Sequence, residues 1–342
     1  MTYTNQHLTQ FVKAAGCAAK LDSHSLQNVT NLLQAHPLVL SGINTNEDSS
    51  IFFINEDLAL VQTLDFITPI VDCAYHFGAI AAANALSDVF AMGGEVMNAL
   101  NIVGFDNTHF DEQILSQILQ GANEKIKECG GVLVGGHTIT SAEMFFGLSV
   151  TGKVAPKAFF ANNTAKSGDV IMLTKPIGTG ILSTALKADM LENTLLDKWL
   201  ERVSFLNVYA SRILREFEPS AMTDVTGFGL LGHLKEMLNS SICIELYKDK
   251  VPVFEGVKDK MNLGLIPGGA YKNQKSIQSF VRGLKDEPDD MLLFDPQTSG
   301  GLLCALNPDK ALLAQEKLAK EGINAAIIAH CVASNAPCIR VE

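Results

Sequence analysis

The chain has 342 residues, 47% hydrophobic and 18% charged, with a formal net charge of −11. That length suggests two domains or one large one, and that composition excludes extensive disorder. The acidic balance argues against nucleic acid or an anionic membrane as the main partner, but it leaves nucleotides open, because magnesium bridges carboxylates to phosphates.

Seven scattered cysteines with no C-x-x-C pair read as the reduced thiols of a cytoplasmic protein. No run reaches the roughly 18 uncharged apolar residues of a membrane helix. Ala14-Ala15-Gly16-Cys17 loosely resembles a lipoprotein cleavage site, but no basic start precedes it, and Thr9, Gln10 and Lys13 interrupt any apolar stretch; a signal peptide is rejected.

The small-residue run Ala14 to Lys20 has little to bury, so a mobile N-terminal loop is expected over about residues 1–45. Within it, Leu26, Val29, Leu32 and Leu33 fall at helical spacing in Ser25 to Ala35. Strands are predicted at Ile51 to Ile54 and Leu58 to Thr63, then a helix at Ile80 to Met92 and a strand at Ala99 to Phe105. A helix from Asp111 to Glu128 precedes a strand at Val132 to Val134, a turn at Gly135-Gly136-His137, and a strand at Phe145 to Val154. The Asn- and Lys-rich stretch Pro156 to Gly168 is the best boundary, dividing the chain into 1–155 and 156–342. Beyond it come a strand (Val170 to Thr174), a glycine turn opening a helix (Lys175 to Gly180), and helices at Leu196 to Phe217 and Leu230 to Asn239. Strands at Ile242 to Tyr247 and Leu302 to Leu306, a helix at Pro308 to Glu321 and a strand near Ala326 to Ala329 follow. Without strict βαβ alternation, G-x-G-x-x-G or a P-loop, the fold class is α+β, built of α/β layers.

Several carboxylates stand among small or apolar residues: Glu47-Asp48, Asp65, Asp88 and Asp224. A buried carboxylate is costly unless paired, hydrogen-bonded or cation-bound. Asn84 and Asp88 are four residues apart, hence one turn apart on a single helix face. A lone Asp is most often a cap or turn residue. Several in such contexts point to hard oxygen ligands for magnesium. Glycine clusters such as Gly135-Gly136 and Gly227-Gly229 would let backbone amides approach phosphates, although glycine mostly serves turns. A lone Cys is most often inert core; for Cys17 the alternative is a reactive thiol, because Lys20 stands three residues on and a nearby cation favours thiolate, the nucleophilic form.

These motifs coincide with a family. Ala15 to Lys20, Gln62 to Asp72, Ala81 to Gly94, Ala99 to Phe105, Gly135 to Ile139, Thr223 to Gly229 and Asp295 to Gly301 resemble selenophosphate synthetase (selenide, water dikinase) in order along the chain. The resemblance implies the two-domain aminoimidazole ribonucleotide synthetase-like fold, with N-terminal strands forming an intersubunit β-barrel in a homodimer. It implies conversion of ATP, selenide and water to selenophosphate, AMP and phosphate, with Mg2+ required, K+ helping, and a selenium-delivery protein as a further partner. Carried over, Cys17 and Lys20 are the catalytic pair, and Asp48, Asp65, Asp88 and Asp224 hold magnesium. Asn84, Gly135, Gly136, His137 and Thr138 join Lys20, Asp48, Asp65 and Asp88 in binding ATP, and Glu143 matches an acidic position just after the glycine loop. The chain departs from the family pattern at Glu47, where two adjacent aspartates are usual, at Cys73-Ala74, over residues 140–144, and at Lys272-Asn273, near where arginine-asparagine is common and where a lysine loses bidentate phosphate contact. Rival readings are a thiamine-phosphate kinase or amidine-forming ligase of the same superfamily, or a nucleotide-binding paralogue without turnover.

Overall fold

The structure is a computed structural model and describes residues 7–19, 36–42, 47–285 and 287–342. Lys20 and the helix expected at Ser25 to Ala35 lie outside the described residues. The N-terminal half contributes strands β1 (Val39–Ser41), β2 (Ser50–Asn55), β3 (Leu58–Ile67), β4 (Glu95–Phe105), β5 (Val132–Thr140) and β6 (Phe145–Val154), with helices α1 (Ala74–Ala91) and α2 (Glu112–Glu128). They form a six-stranded sheet in the order β1-β2-β3-β6-β4-β5, antiparallel except for the parallel β4–β5 pair.

The C-terminal half contributes β7 (Val170–Leu173), α3 (Thr179–Lys187), α4 (Asn193–Val203), α5 (Val208–Arg215), β8 (Ala221–Asp224), α6 (Gly229–Glu236), β9 (Ile242–Leu246), α7 (Val257–Asn262), α8 (Gly268–Ile277), β10 (Val281–Arg282), β11 (Leu302–Leu306), α9 (Pro308–Lys320), β12 (Ala326–Ala333) and β13 (Ile339–Val341). Its seven-stranded sheet runs β10-β13-β9-β12-β7-β11-β8. Two sheets of mixed pairing with helices layered against them bear out the α+β reading.

Helix α1 is apolar on every side and buried almost throughout, as expected of a helix enclosed by other elements. It crosses α2 at a backbone-close contact. A Cβ added at Gly78 would lie 1.9 Å from the Ile118 carbonyl oxygen, and one at Gly121 would lie 2.0 Å from that of Tyr75. Only glycine permits that approach. The only polar residues buried within α1 are Asn84, Ser87 and Asp88, and all three face groups outside the helix.

Strand β3 keeps the two-residue alternation, but near its end the residue types do not follow it. Ala59, Val61, Asp65 and Ile67 turn inward, whereas Leu64 (56% exposed) and Phe66 (47%) face out. A carboxylate is thus buried and two large apolar side chains are left outside. Val132, Val134 and Ile139 on edge strand β5 are also exposed, so the outer face of this sheet is apolar.

Two sequence expectations need correction. Gly135-Gly136-His137 does not turn; β5 runs straight through it, paired with Leu100 to Ile102 of β4 after a register shift. Glycines signalled a turn, but an exposed edge strand tolerates them. The helix expected from Leu196 to Phe217 is two helices, broken at Ser204 to Asn207. Apolar Phe205 and Leu206 carry the helical pattern across the break and conceal it. The break places the Asn207 side-chain amide between Ser87 Oγ and the Gly300 carbonyl, each 2.8 Å away.

Buried Asp295 joins α3 to the loop before β11, accepting from the Gly180 amide (3.0 Å) and from Gln297 Nε2 (2.8 Å). Burial pushes its carboxyl up to about 7, partly opposed by those hydrogen bonds. Because the folded value exceeds the unfolded one, its contribution is fully present below about pH 4 and is lost as pH rises through about 7. Asp295→Asn is therefore expected to flatten the fall in stability between about pH 4 and 7. Urea denaturation of both proteins at several pH values checks this; parallel pH profiles would refute it.

Candidate functional site

The site lies where the two halves meet. Strand β3 supplies Thr63 and Asp65, α1 supplies Asn84 and Asp88, the segment before β2 supplies Asp48, and the end of β8 supplies Asp224. The loop preceding β11 adds Thr298 and Ser299.

Asn84 is the hub. Its Nδ2 donates to Asp65 Oδ2 at 2.5 Å, and its Oδ1 accepts from the Ser299 amide at 2.8 Å. Cys17 Sγ lies 3.5 Å from the same Oδ1 as a donor. The Cys17 amide donates to Thr298 Oγ1 at 3.1 Å, and the thiol residue is buried.

Over residues 7–19 the N-terminal segment is docked, where a mobile loop was expected. Gly16 bridges to Thr68, Thr68 Oγ1 donates to the Ala14 carbonyl at 2.5 Å, and the Lys13 amide donates to Glu143 Oε1 at 2.8 Å. Thr9 donates twice to Asp72 Oδ1. Gly16 sits at φ +59, and a Cβ there would stand 2.5 Å from Thr298 Oγ1, so glycine is required for the segment to seat.

Asp48, Asp88 and Asp224 form a second group. Thr63 Oγ1 donates to Asp88 Oδ2 at 2.5 Å, and Thr223 Oγ1 donates to Asp48 Oδ1 at 2.9 Å. Asp48 is half-buried, but its Oδ2 is shut off from solvent without a hydrogen-bond partner among the described residues. Burial, then the neighbouring charges of Asp224, Asp88 and Glu236, hold the Asp48 carboxyl well above the usual range, against the lowering effect of Thr223. Such a cluster is stable as anions only with a cation among them.

Oxygen donors of this kind fit magnesium. No three His, Cys, Asp or Glu side chains among the described residues already close on one point as metal ligands, so binding would draw these carboxylates together. Asp65 accepts from Asn84 instead, and α1 links the two groups through Asn84 and Asp88. Glu47 Oε2 accepts from the Asn162 amide at 3.0 Å.

Gly135, Gly136, His137 and Thr138 are not brought to the carboxylates within one chain. Asp65 aligns with Leu148, Leu148 with Asn101, and Asn101 with Gly136. That is three strand spacings, about 14 Å at ~4.8 Å each.

A buried lysine is among the residues that escaped the sequence reading. Lys175 is buried, and its Nζ donates to the carbonyls of Phe205 (2.7 Å) and Ser299 (3.0 Å). Burial lowers it to about 7, partly opposed by Asp224. Its grip on Ser299, a non-glycine residue at φ +51, fixes the amide that holds Asn84. A lysine beside a Pro-Ile-Gly turn gives no signal of this in sequence.

Comparison with known proteins places the architecture. The profile of AIR synthase related protein, N-terminal domain, matches residues 46–154, and that of its C-terminal domain matches residues 166–341. Selenide, water dikinase of Campylobacter jejuni is 60% identical over 97% of this chain and 97% of its own length. The chain belongs to the selenide, water dikinase family. The Clostridioides difficile member of that family is 42% identical over 98% of this chain and 97% of its own. Among solved structures, the HypE–HypF complex matches with a TM-score of 0.68 at 18% identity, covering 94% of this chain and 96% of that one. At that identity the likeness shows the fold, and it bears out the aminoimidazole ribonucleotide synthetase-like architecture expected for this dikinase family.

Proposed function

We propose that the chain makes selenophosphate: ATP, selenide and water are converted to selenophosphate, AMP and orthophosphate. The observation that carries this reading is Cys17, seated on Asn84 and Thr298, with Asn84 one helical turn from Asp88, which groups with Asp48 and Asp224. A thiol and a hard-oxygen cluster are thereby held together, an arrangement that suits transfer of a phosphoryl group to a selenium nucleophile. Asp48, Asp88 and Asp224 would hold magnesium, with Asp65 adjoining. Bound there, the metal would neutralise phosphate charge, which with positioning supplies most of the catalysis in phosphoryl transfer.

The chain's own residues do the rest. Asn84 orients the Cys17 thiol, Thr63 and Thr223 aim Asp88 and Asp48, and the docked segment keeps water from the first transfer. Lys20, in this reading, places its ammonium near the transferring phosphate. A monovalent cation and a selenium-delivery protein complete the reading, in a cytoplasmic setting; among the described residues no helix is long and apolar enough to cross a membrane.

The apolar outer face of β3 and β5 suits a second copy of the chain. A homodimer would cover Leu64, Phe66 and Val134 and let β5 of one protomer, with Gly135 to Thr138, complete the nucleotide site of the other. Val134→Asp is expected to give monomers in light scattering and to lose activity together with dimerisation. A dimer of unchanged stability would remove this part of the reading.

The decisive assay is AMP formation from ATP with and without selenide. Selenide-dependent AMP that Cys17→Ser abolishes is the expected result. AMP formed equally without selenide would leave an ATPase, and none at all would favour a binding paralogue.

A further inference from the structure

Near one edge of the C-terminal sheet two thiols stand side by side. Strands β9 and β13 run parallel with Ile244 aligned to Ile339, and the Ile244 amide donates to the Cys338 carbonyl at 2.9 Å. That register sets Cys338, immediately before β13, opposite Cys243 on β9. Adjacent strands lie about 4.8 Å apart, inside the roughly 4.4–6.8 Å between α-carbons that a disulfide spans. The two side chains meet: burial, then the Cys338 thiol, push the Cys243 thiol up to about 11. Both are free thiols.

Their setting is unlike that of the other cysteines. Two residues further along the same face, Arg340 and Glu245 form an ion pair at 2.7 Å. The Arg340 guanidinium is held above its ordinary value first by that hydrogen bond and then by Cys243 and Cys338, so it stands close to both thiols. A cation beside a partly accessible thiol is the setting in which thiols react. Access is one-sided. Cys243 is buried, whereas Cys338 is partly exposed and follows the exposed residues Asn335 to Pro337. Cys73, the other partly exposed cysteine, has its thiol pushed up by burial, opposed by the backbone amides of His76 and Tyr75. Cys129, Cys304 and Cys331 are buried.

We propose that Cys338 and Cys243 form a reversible dithiol–disulfide pair, oxidised by peroxide at Cys338 and resolved by Cys243. The Cys338 thiolate attacks one peroxide oxygen, the O–O bond breaks and hydroxide leaves, so Cys338 becomes a sulfenic acid. The hydroxide takes up the proton that Cys338 lost. The Cys243 sulfur then bonds to the Cys338 sulfur, the S–O bond breaks, and the hydroxyl departs with the Cys243 proton as water. Two thiols thus give up two electrons, and peroxide is reduced to two waters. A dithiol such as dithiothreitol reverses the link by exchange and becomes a disulfide itself. The link ties β13, with β10 paired to it, to β9. It lies four strand spacings from Asp224 on β8, about 19 Å at ~4.8 Å each, so it stands apart from the carboxylate site and from its proposed chemistry.

The test is peptide mapping of the full chain after brief exposure to hydrogen peroxide, with remaining thiols alkylated before digestion. Wild type is expected to yield one linked peptide pair joining Cys243 to Cys338, which dithiothreitol removes with recovery of two of the seven thiols. Cys243→Ala should leave Cys338 as a sulfenic acid that dimedone captures. Cys338→Ser should leave Cys243 unmodified, because its thiol is buried. Cys17→Ser should form the link as wild type does, which separates it from oxidation at Cys17. Absence of the linked peptides from wild type, a link from Cys338 to a different cysteine, or dimedone capture at Cys243 in place of Cys338 overturns the proposal. The wild-type map decides the matter even where Cys243→Ala fails to fold.

Discussion

Asn84→Ala is expected to lower selenide-dependent AMP formation about a hundredfold, the scale on which misplacing a reacting group by about 1 Å acts. Asn84 serves Asp65, Cys17 and Ser299 at once. Its loss leaves the buried Ser299 amide without an acceptor, at a cost of about 1–3 kcal/mol, and frees the thiol from its seat. The two effects separate by measurement. Thermal melting reports the stability term, and kcat at saturating ATP reports the lost positioning. Asn84→Asp keeps the acceptor for Ser299 but sets a carboxylate against Asp65, so it should recover stability less than it recovers shape. Full kcat in the alanine variant would show that Cys17 is seated by Thr298 alone.

How far the site could be read from the sequence depended on how local each contact is. Asn84 and Asp88 share a helix face, and four-residue spacing shows that directly. Asp65 stood out as a carboxylate in an apolar strand, and the structure gives the reason: the alternation of β3 puts it on the inward face with Val61 and Ile67 and leaves Leu64 and Phe66 outside. What the spacing could not show is the set of partners. Ser299 lies 215 residues from the side chain it holds, and Lys175 lies 124 from Ser299. No local pattern encodes a contact of that range. Thr63 and Thr223, which aim the carboxylates, read as ordinary strand residues because β-branched threonine fits a strand with or without a function.

The fold divides along the same line. The strands and helices read from periodicity mostly stand where expected, since two- and 3.6-residue patterns are local. The errors fell where two local signals conflicted. At Gly135-Gly136 the glycines outvoted a strand whose neighbours were apolar. At Ser204 to Asn207 the apolar pattern outvoted a break that exists to deliver Asn207 to Ser87 and Gly300. The position of the glycine strand has a further consequence. One chain separates Gly136 from Asp65 by three strand spacings while exposing apolar side chains on the same sheet, so under the proposed reading the separated glycines and the unpartnered face are two aspects of one feature. A second copy would resolve both.

Asp48→Asn is expected to raise the melting temperature in EDTA by a few degrees while abolishing the rise that magnesium produces in the wild-type chain. The sign follows from the electrostatics. Burial and the charges of Asp224, Asp88 and Glu236 hold the Asp48 carboxyl well above its usual range, so its ionised form strains the metal-free fold. A carboxyl raised in this way stabilises fully only below its unfolded value near 4, and that contribution is lost as pH climbs through its folded one. Asparagine keeps the shape and the acceptor for Thr223 Oγ1 but removes the charge, which should stabilise the metal-free protein most at alkaline pH. The same charge is what a divalent cation would bind, so the gain in stability comes with loss of turnover, the trade expected where a site stores unfavourable electrostatics for function. Melting curves of both proteins, with EDTA and with magnesium at pH 6 and 8, test this directly. A variant that melts lower than wild type in EDTA, or that keeps the magnesium response, would place the cation elsewhere.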